Sequence, residues 1–293
     1  MDRKNFGHLI EVLRHQSAYT RDKNKSFTQK EMADLLGITL RHYGRLERGE
    51  AVNIEGDLLV RMAEGFGLTY RERHEFFYAA GGVSQYAFKE PAEALDSLLN
   101  KLRNLTKQSA FPIFVTDVLG NFLMAGKSAL PIVGFDTEEF HQMKYRNVLW
   151  APLNMNLSHA FEQADLIKAV IANMRLVRGT SLRYRGTEPS KSLFADLSAL
   201  PQFRAAWQWV SADRGMDFDE SRVFNQYHPR FDVSLSYYAL GSKIVTPWGD
   251  LFATTFTPYD EKTFFKFKEL REKYGDEIVE YEVPWPLTSE SQK

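Results

Sequence analysis

Thr28-Gln29-Lys30-Glu31-Met32-Ala33-Asp34-Leu35-Leu36-Gly37-Ile38-Thr39-Leu40-Arg41-His42-Tyr43-Gly44-Arg45-Leu46-Glu47-Arg48-Gly49 is the stretch that decides the fold of the N-terminal part. Thr28 and Glu31 stand at capping-box spacing: a hydroxyl for the third backbone N–H, and a carboxylate reaching back to the cap. The helix they open carries Met32, Ala33, Leu35 and Leu36, and Gly37 ends it with a residue free to take positive φ. Two residues later Thr39 caps a second helix that Gly49 stops. Two short helices joined by a glycine turn of this length form a helix-turn-helix. Upstream, Phe6, Leu9, Ile10 and Leu13 give one face of a preceding helix, and Ser17 to Ser26 is polar. Downstream, Ile54, Leu58, Leu59, Met62, Ala63 and Phe66 give a fourth helix, and Tyr70 to Ala80 a fifth, closed by Gly81-Gly82. The spacing therefore predicts a five-helix domain over 1–82.

Gln29 to Thr39, then Tyr43 and Leu46-Glu47-Arg48-Gly49, resemble the lambda-repressor-like (Xre-type) helix-turn-helix family almost position for position. The physical roles agree, with Ala33 small at the helix crossing, Ile38 and Leu46 filling the space beneath, and Gly37 making the turn. The resemblance implies that the second helix reads double-stranded DNA through an outward face of Leu40, Arg41, His42 and Arg45. It puts Arg41 and its neighbours at base edges, with Thr28 and Gln29 on a phosphate and Thr39 at the start of the reading helix. Leu40 departs from the usual polar residue and suits a thymine methyl. Tyr43 replaces a small aliphatic residue and is either core or a phosphate contact. Residues 1–48 hold ten Lys or Arg against six Asp or Glu, an excess of +4 in a chain of net charge −1, which suits a phosphate backbone.

At 293 residues the chain has room for a second, larger domain. Residues 83–110 read as a connector and a helix, with Pro91 suited to a first helical position and Leu95, Leu98, Leu99, Leu102 and Leu105 at helical spacing. That helix docks on the second domain or on a symmetry mate, and it is the expected route between the domains. Residues 111–125 read as a β-hairpin turning at Val118-Leu119-Gly120-Asn121. Helices follow, one along Phe161, Ala164, Ile167, Val170, Ile171, Met174 and Val177, another from Leu193 to Val210 broken near Pro201. Strands return at 231–240, around Ile244-Val245 and at 250–257. Hairpin, helices, then antiparallel strands is the order of an α+β, PAS-like domain over 111–285, a curved sheet covered by helices; 286–293 is a tail.

The family resemblance extends into this part. Tyr70 to Phe77, the Phe114 to Leu123 hairpin, Leu193 to Leu197, Pro201-Gln202-Phe203-Arg204, Trp207 and Tyr227-His228-Pro229 are similar to the MmyB-like ligand-binding domains that often follow Xre-type domains. Relatives tend to show a glycine after His228-Pro229, where this chain has Arg230-Phe231. The resemblance implies a small apolar ligand, such as a fatty acid, between sheet and helices. Phe114, Leu123, Phe252 and Phe256 are the candidate strand wall, with Val170, Met174 and Trp207 from the helices. Arg175, Arg178 or Arg204 would hold a head group. All five tryptophans lie in this domain, most of them as core.

The chain has no cysteine, which removes disulfides, thiolate catalysis and cysteine zinc sites. It shows no nucleophile elbow, phosphate-cradling glycine loop or zincin motif, its seven histidines are scattered, and Asp213, Asp217, Asp219 and Glu220 read as a solvated loop. The expectation is a non-enzymatic regulator without metal or obligate cofactor. Met1 to Asn5 lacks a secretory apolar core and no apolar run approaches about eighteen residues, so a cytoplasmic protein without membrane contact is expected. Repressors of this type pair over half-sites, so a homodimer is expected. Two other classes stay open: a repressor whose second domain only dimerises or binds protein, and a ligand-modifying enzyme fused to a DNA-binding domain.

Overall fold

The computed structural model describes residues 2–20, 26–51, 53–81, 92–154, 163–212, 223–246, 248–283 and 285. The chain divides into two compact units, and neither is a continuous stretch of sequence. Unit 1 comprises 1–86 together with 174–217; unit 2 comprises 87–173 and 218–293. The acidic loop at 213–220, Pro91 and the tail lie outside the described residues.

Unit 1 begins with α1 (Arg3–Thr20), which runs through the polar stretch from Ser17 and ends later than the apolar spacing implies. Helices α2 (Gln29–Leu36) and α3 (Leu40–Glu47) follow, then α4 (Gly56–Gly65) and α5 (Tyr70–Ala80). The Thr28/Glu31 box is formed, and Gly37 takes φ 67°, a left-handed turn that favours glycine. A second box, Thr69 with Glu72, opens α5. Phe6, Leu9, Ile10, Leu13, Met32, Ala33, Leu36, Leu46, Met62 and Phe76 make one core. Leu182 completes it from the distant segment and is fully buried. That segment holds the end of α9 (Gln163–Thr180), a 3-10 turn at Leu182–Tyr184, α10 (Glu188–Ser198) and α11 (Pro201–Ala212).

A buried ion cluster ties the segment in place. Glu72 Oε2 accepts from Arg178 Nη2 at 2.9 Å and Glu72 Oε1 from Arg178 Nε at 3.1 Å, while Arg185 Nη2 donates to Glu72 Oε1. All three side chains are almost wholly buried. Arg178 also donates to the Trp207 carbonyl and stacks over its ring at 4.1 Å. Burial alone would raise the Glu72 carboxyl; the two guanidiniums outweigh it and hold the group at about 2.

Unit 2 is built on a six-stranded antiparallel sheet, ordered β3-β4-β5-β1-β2-β6. Its strands are β1 (Ile113–Asp117), β2 (Phe122–Gly126), β3 (Phe224–His228), β4 (Val233–Ile244), β5 (Leu251–Pro258) and β6 (Ile278–Glu280). The β1–β2 hairpin is locked by Asp117, which accepts from the Leu119 and Asn121 N–H groups and from Asn121 Nδ2, each at 2.9 Å. On one face Phe114, Phe122, Leu235, Tyr237 and Phe256 pack with Phe140 of α7 (Thr137–Gln142), Ala151 of α8 (Trp150–Asn154), Leu166 of α9, and Phe267 and Leu270 of α12 (Glu261–Tyr274). On the other, Ile113, Val115, Leu123, Met124, Leu251 and Ala253 pack with Leu98, Leu99 and Leu102 of α6 (Ala92–Gln108). Helix α6 therefore docks on this sheet, pinned by Arg103 to Glu280 at 2.7 Å.

Several sequence expectations are corrected here. The strands read at 231–240 and near Ile244 are one continuous β4, because its register against β5 runs unbroken from Tyr237 to Ile244. Strands β3 and β6 and helix α12 were not anticipated. The turn after His228-Pro229 is closed by Asp232 at φ 49°, where its carboxylate accepts from the Tyr227 hydroxyl at 2.6 Å. The helices of 188–212, expected over the sheet, belong to unit 1.

Candidate nucleic-acid interface

Helix α3 is eight residues long, and its two faces differ sharply. Thr39 caps it, its hydroxyl accepting from the His42 N–H at 3.1 Å. Tyr43, Gly44, Leu46 and Glu47 turn inward, whereas Leu40, Arg41, His42 and Arg45 are exposed, Leu40 at 50%. Tyr43 is wholly buried, which settles its two readings in favour of core and takes it off the exposed face. Burial, helped by the neighbouring Glu47 carboxylate, raises its phenol pKa.

The inward face is held by a polar hub. Glu47 Oε1 accepts from Arg14 Nε at 2.6 Å, and Glu47 Oε2 from Arg14 Nη2 at 3.3 Å and Gln29 Nε2 at 2.6 Å. Arg14 Nη1 in turn donates to the Phe27 carbonyl at 2.8 Å. One carboxylate thereby joins α1, the start of α2 and the end of α3. Beside it the backbones nearly touch: a Cβ on Gly7 would lie 2.5 Å from both the Glu47 carbonyl oxygen and the Gly49 nitrogen. Sequence reading missed Gly7 and this role of Glu47, although Tyr43 and Glu47 are four residues apart and share a helical face.

The two phosphate candidates spend their side chains internally. The Thr28 hydroxyl accepts from the Glu31 N–H and donates to Glu31 Oε2, and the Gln29 amide serves Glu47. The first-turn N–H groups of Gln29 and Lys30 remain at the α2 N-terminus, where a helix attracts anions. On α3, Arg45 lies 4.0 Å from Glu50, which also takes a bidentate pair from Arg48 at 2.7 and 3.0 Å. Among the described residues Arg41 makes no ion pair, so its guanidinium fork faces solvent.

The candidate ligand residues are divided between the units. Phe114, Leu123, Val170, Phe252 and Phe256 belong to unit 2, Met174, Arg175, Arg178, Arg204 and Trp207 to unit 1. Leu123 packs on the α6 side of the sheet, opposite Phe114 and Phe256. Arg178 is taken by Glu72, Arg175 lies over the Trp209 ring at 5.4 Å, and Arg204 donates to the Ser198 carbonyl at 2.7 Å. The division arises because α9 is one helix whose residues up to Asn173 and from Met174 onward pack in different units. Within unit 2 the sheet face that carries Phe114 also carries polar groups. Tyr237 donates its hydroxyl to Gln226 Oε1, and His228 is fully buried, its pKa pushed down to about 4 by that burial. Among the described residues no group of acidic or histidine side chains is arranged to hold a metal, and no helix is long and apolar enough to cross a membrane.

A capped, exposed, arginine-bearing second helix within a five-helix domain is the arrangement of a helix-turn-helix DNA-binding module. Residues 19–72 match the helix-turn-helix family model, which supports a DNA-binding transcription regulator. No curated protein matches the chain.

Proposed function

We propose that this chain is a sequence-specific transcription regulator, not an enzyme, that works in the cytoplasm as a homodimer on double-stranded operator DNA. The observation that carries the reading is the exposed row Leu40, Arg41, His42 and Arg45 on a helix whose other face is anchored by Tyr43, Leu46 and Glu47. Arg41 reads a guanine edge in the major groove, Leu40 meets a thymine methyl, and the α2 N-terminus with Lys30 lies on a phosphate.

Unit 2 is the sensor in this proposal, a PAS-like, MmyB-like domain for a small apolar ligand of the fatty-acid kind. Its support is the order of the elements, a hairpin, helices and returning strands with β5 paired to β1. The aromatic sheet face around Phe114 and Phe256 supports it too. Burying ten methylenes there would contribute roughly 8 kcal/mol before the costs of binding.

Native mass spectrometry of the purified chain, with a duplex enriched from a randomised pool, tests all three parts together. The expected species is two chains on one duplex, each carrying an apolar adduct. Failure to retain any duplex would remove the DNA reading, one chain per duplex would remove the dimer, and an adduct-free chain would favour a second unit that only dimerises or binds protein.

A further inference from the structure

Helix α1 has two sets of partners within unit 1. Gly7 and Arg14, one heptad apart, hold the end of α3: Gly7 through backbone approach to Glu47 and Gly49, Arg14 through the Glu47 carboxylate. His8 and Gln16, next to them, meet the distant segment: His8 Nε2 lies 3.3 Å from the Gly186 carbonyl, and Gln16 Oε1 accepts from Arg185 Nη1 at 3.2 Å. Arg185 also donates to Glu72 and to the Arg178 carbonyl at 2.8 Å. Segment 174–217 is continuous at both ends with unit 2.

Resting on the reading of α3 as the DNA-contacting helix, we infer that segment 174–217 is a working part of the DNA-binding module, and that α1 transmits its position to α3. The module is a composite of 1–86 and 174–217, larger than the matched residues 19–72. The buried cations and apolar Leu182 of the segment are keyed into the module.

Buried charges make the coupling testable, because loss of one partner is strongly felt. Arg185→Met leaves Glu72 paired with Arg178, so the fold is retained while the tie to Gln16 is lost. Gly186→Ala, whose Cβ would lie 2.6 Å from the His8 ring, is a milder second variant. The experiment is hydrogen exchange on the full chain, together with affinity for a duplex enriched from a randomised pool by the unmodified chain. In the unmodified chain α10 and α11 share protection with α1 and α5. In Arg185→Met, exchange rises in α1, α5 and α11 but not in β1 and β5, and affinity falls roughly tenfold. Gly186→Ala shifts both in the same direction by less, and Arg185→Lys recovers part of the loss. Exchange of 174–217 together with the sheet of unit 2, or affinity of both variants within about twofold of the unmodified chain, would overturn the inference. Arg41→Ala is the separate control: if it alone leaves DNA binding untouched, the reading of α3 fails, while the exchange pattern still decides whether the module is composite.

Discussion

At the scale of single residues, three carboxylates do different work because their surroundings differ. Glu31 and Glu72 stand in similar capping boxes, yet Glu31 is exposed and Glu72 wholly buried between two arginines. With its pKa near 2 in the fold, against 4.5 as the ordinary value, Glu72 favours the folded state above about pH 4.5. That contribution, roughly 3 kcal/mol, fades as the pH falls from 4.5 toward 2. Urea titrations should therefore show unit 1 losing stability steeply across that window. Glu72→Gln should begin less stable at neutral pH and show a shallower decline; parallel slopes in the two proteins would refute the role of Glu72. The third carboxylate, Glu47, organises α1, α2 and α3 around one buried group. The caps Thr28 and Thr39 and the turn Gly37 were legible because they act within four residues of themselves. Tyr43 could not be assigned from sequence, since an aromatic at a helical core position and a phosphate-binding tyrosine look alike until burial is known.

At the scale of elements, the placing of α3 depends on how closely α1 approaches it. Gly7→Ala sets a methyl against backbone atoms that have no rotamer to escape by, so α3 must shift. The expected cost is about 1–3 kcal/mol of stability, with a loss of DNA affinity that persists well below the melting temperature. Gly56→Ala, at a position with open space around it, is expected to be neutral or stabilising by up to about 1 kcal/mol. Equal melting temperatures for the two variants would refute the close crossing. The hairpin and β5 were readable from alternation and turn residues. Helix α12 was not, although Thr263, Phe267 and Leu270 follow its buried face and Asp260 caps it. Its exposed Phe264 and Phe265 blur the apolar period. Strand β3 is short and carries Asn225 and Gln226, and β6 is only three residues long. Neither offers a pattern that stands out from a loop.

At the scale of the whole molecule, the helix-turn-helix was legible because its residues are contiguous, and the division into units was not. The ties that assign 174–217 to unit 1 join Glu72 to Arg178 and Arg185, 106 and 113 residues away in sequence. Local periodicity cannot report a partner at that distance. Nor can it report that Met174, Arg178 and Trp207 fall in unit 1 while Phe114 and Phe256 fall in unit 2. The exposed face of α3 carries the central proposal, that Arg41 reads sequence while the start of α2 holds backbone. Equilibrium binding of the unmodified chain, Arg41→Ala and Lys30→Ala to single base-pair variants of the enriched duplex tests that claim most directly. Arg41→Ala should lose about 1–3 kcal/mol on the preferred duplex and become indifferent to one base pair, whereas Lys30→Ala should weaken every duplex alike. Identical profiles for the two variants, or an Arg41→Ala protein that keeps its preference at every position, would contradict it.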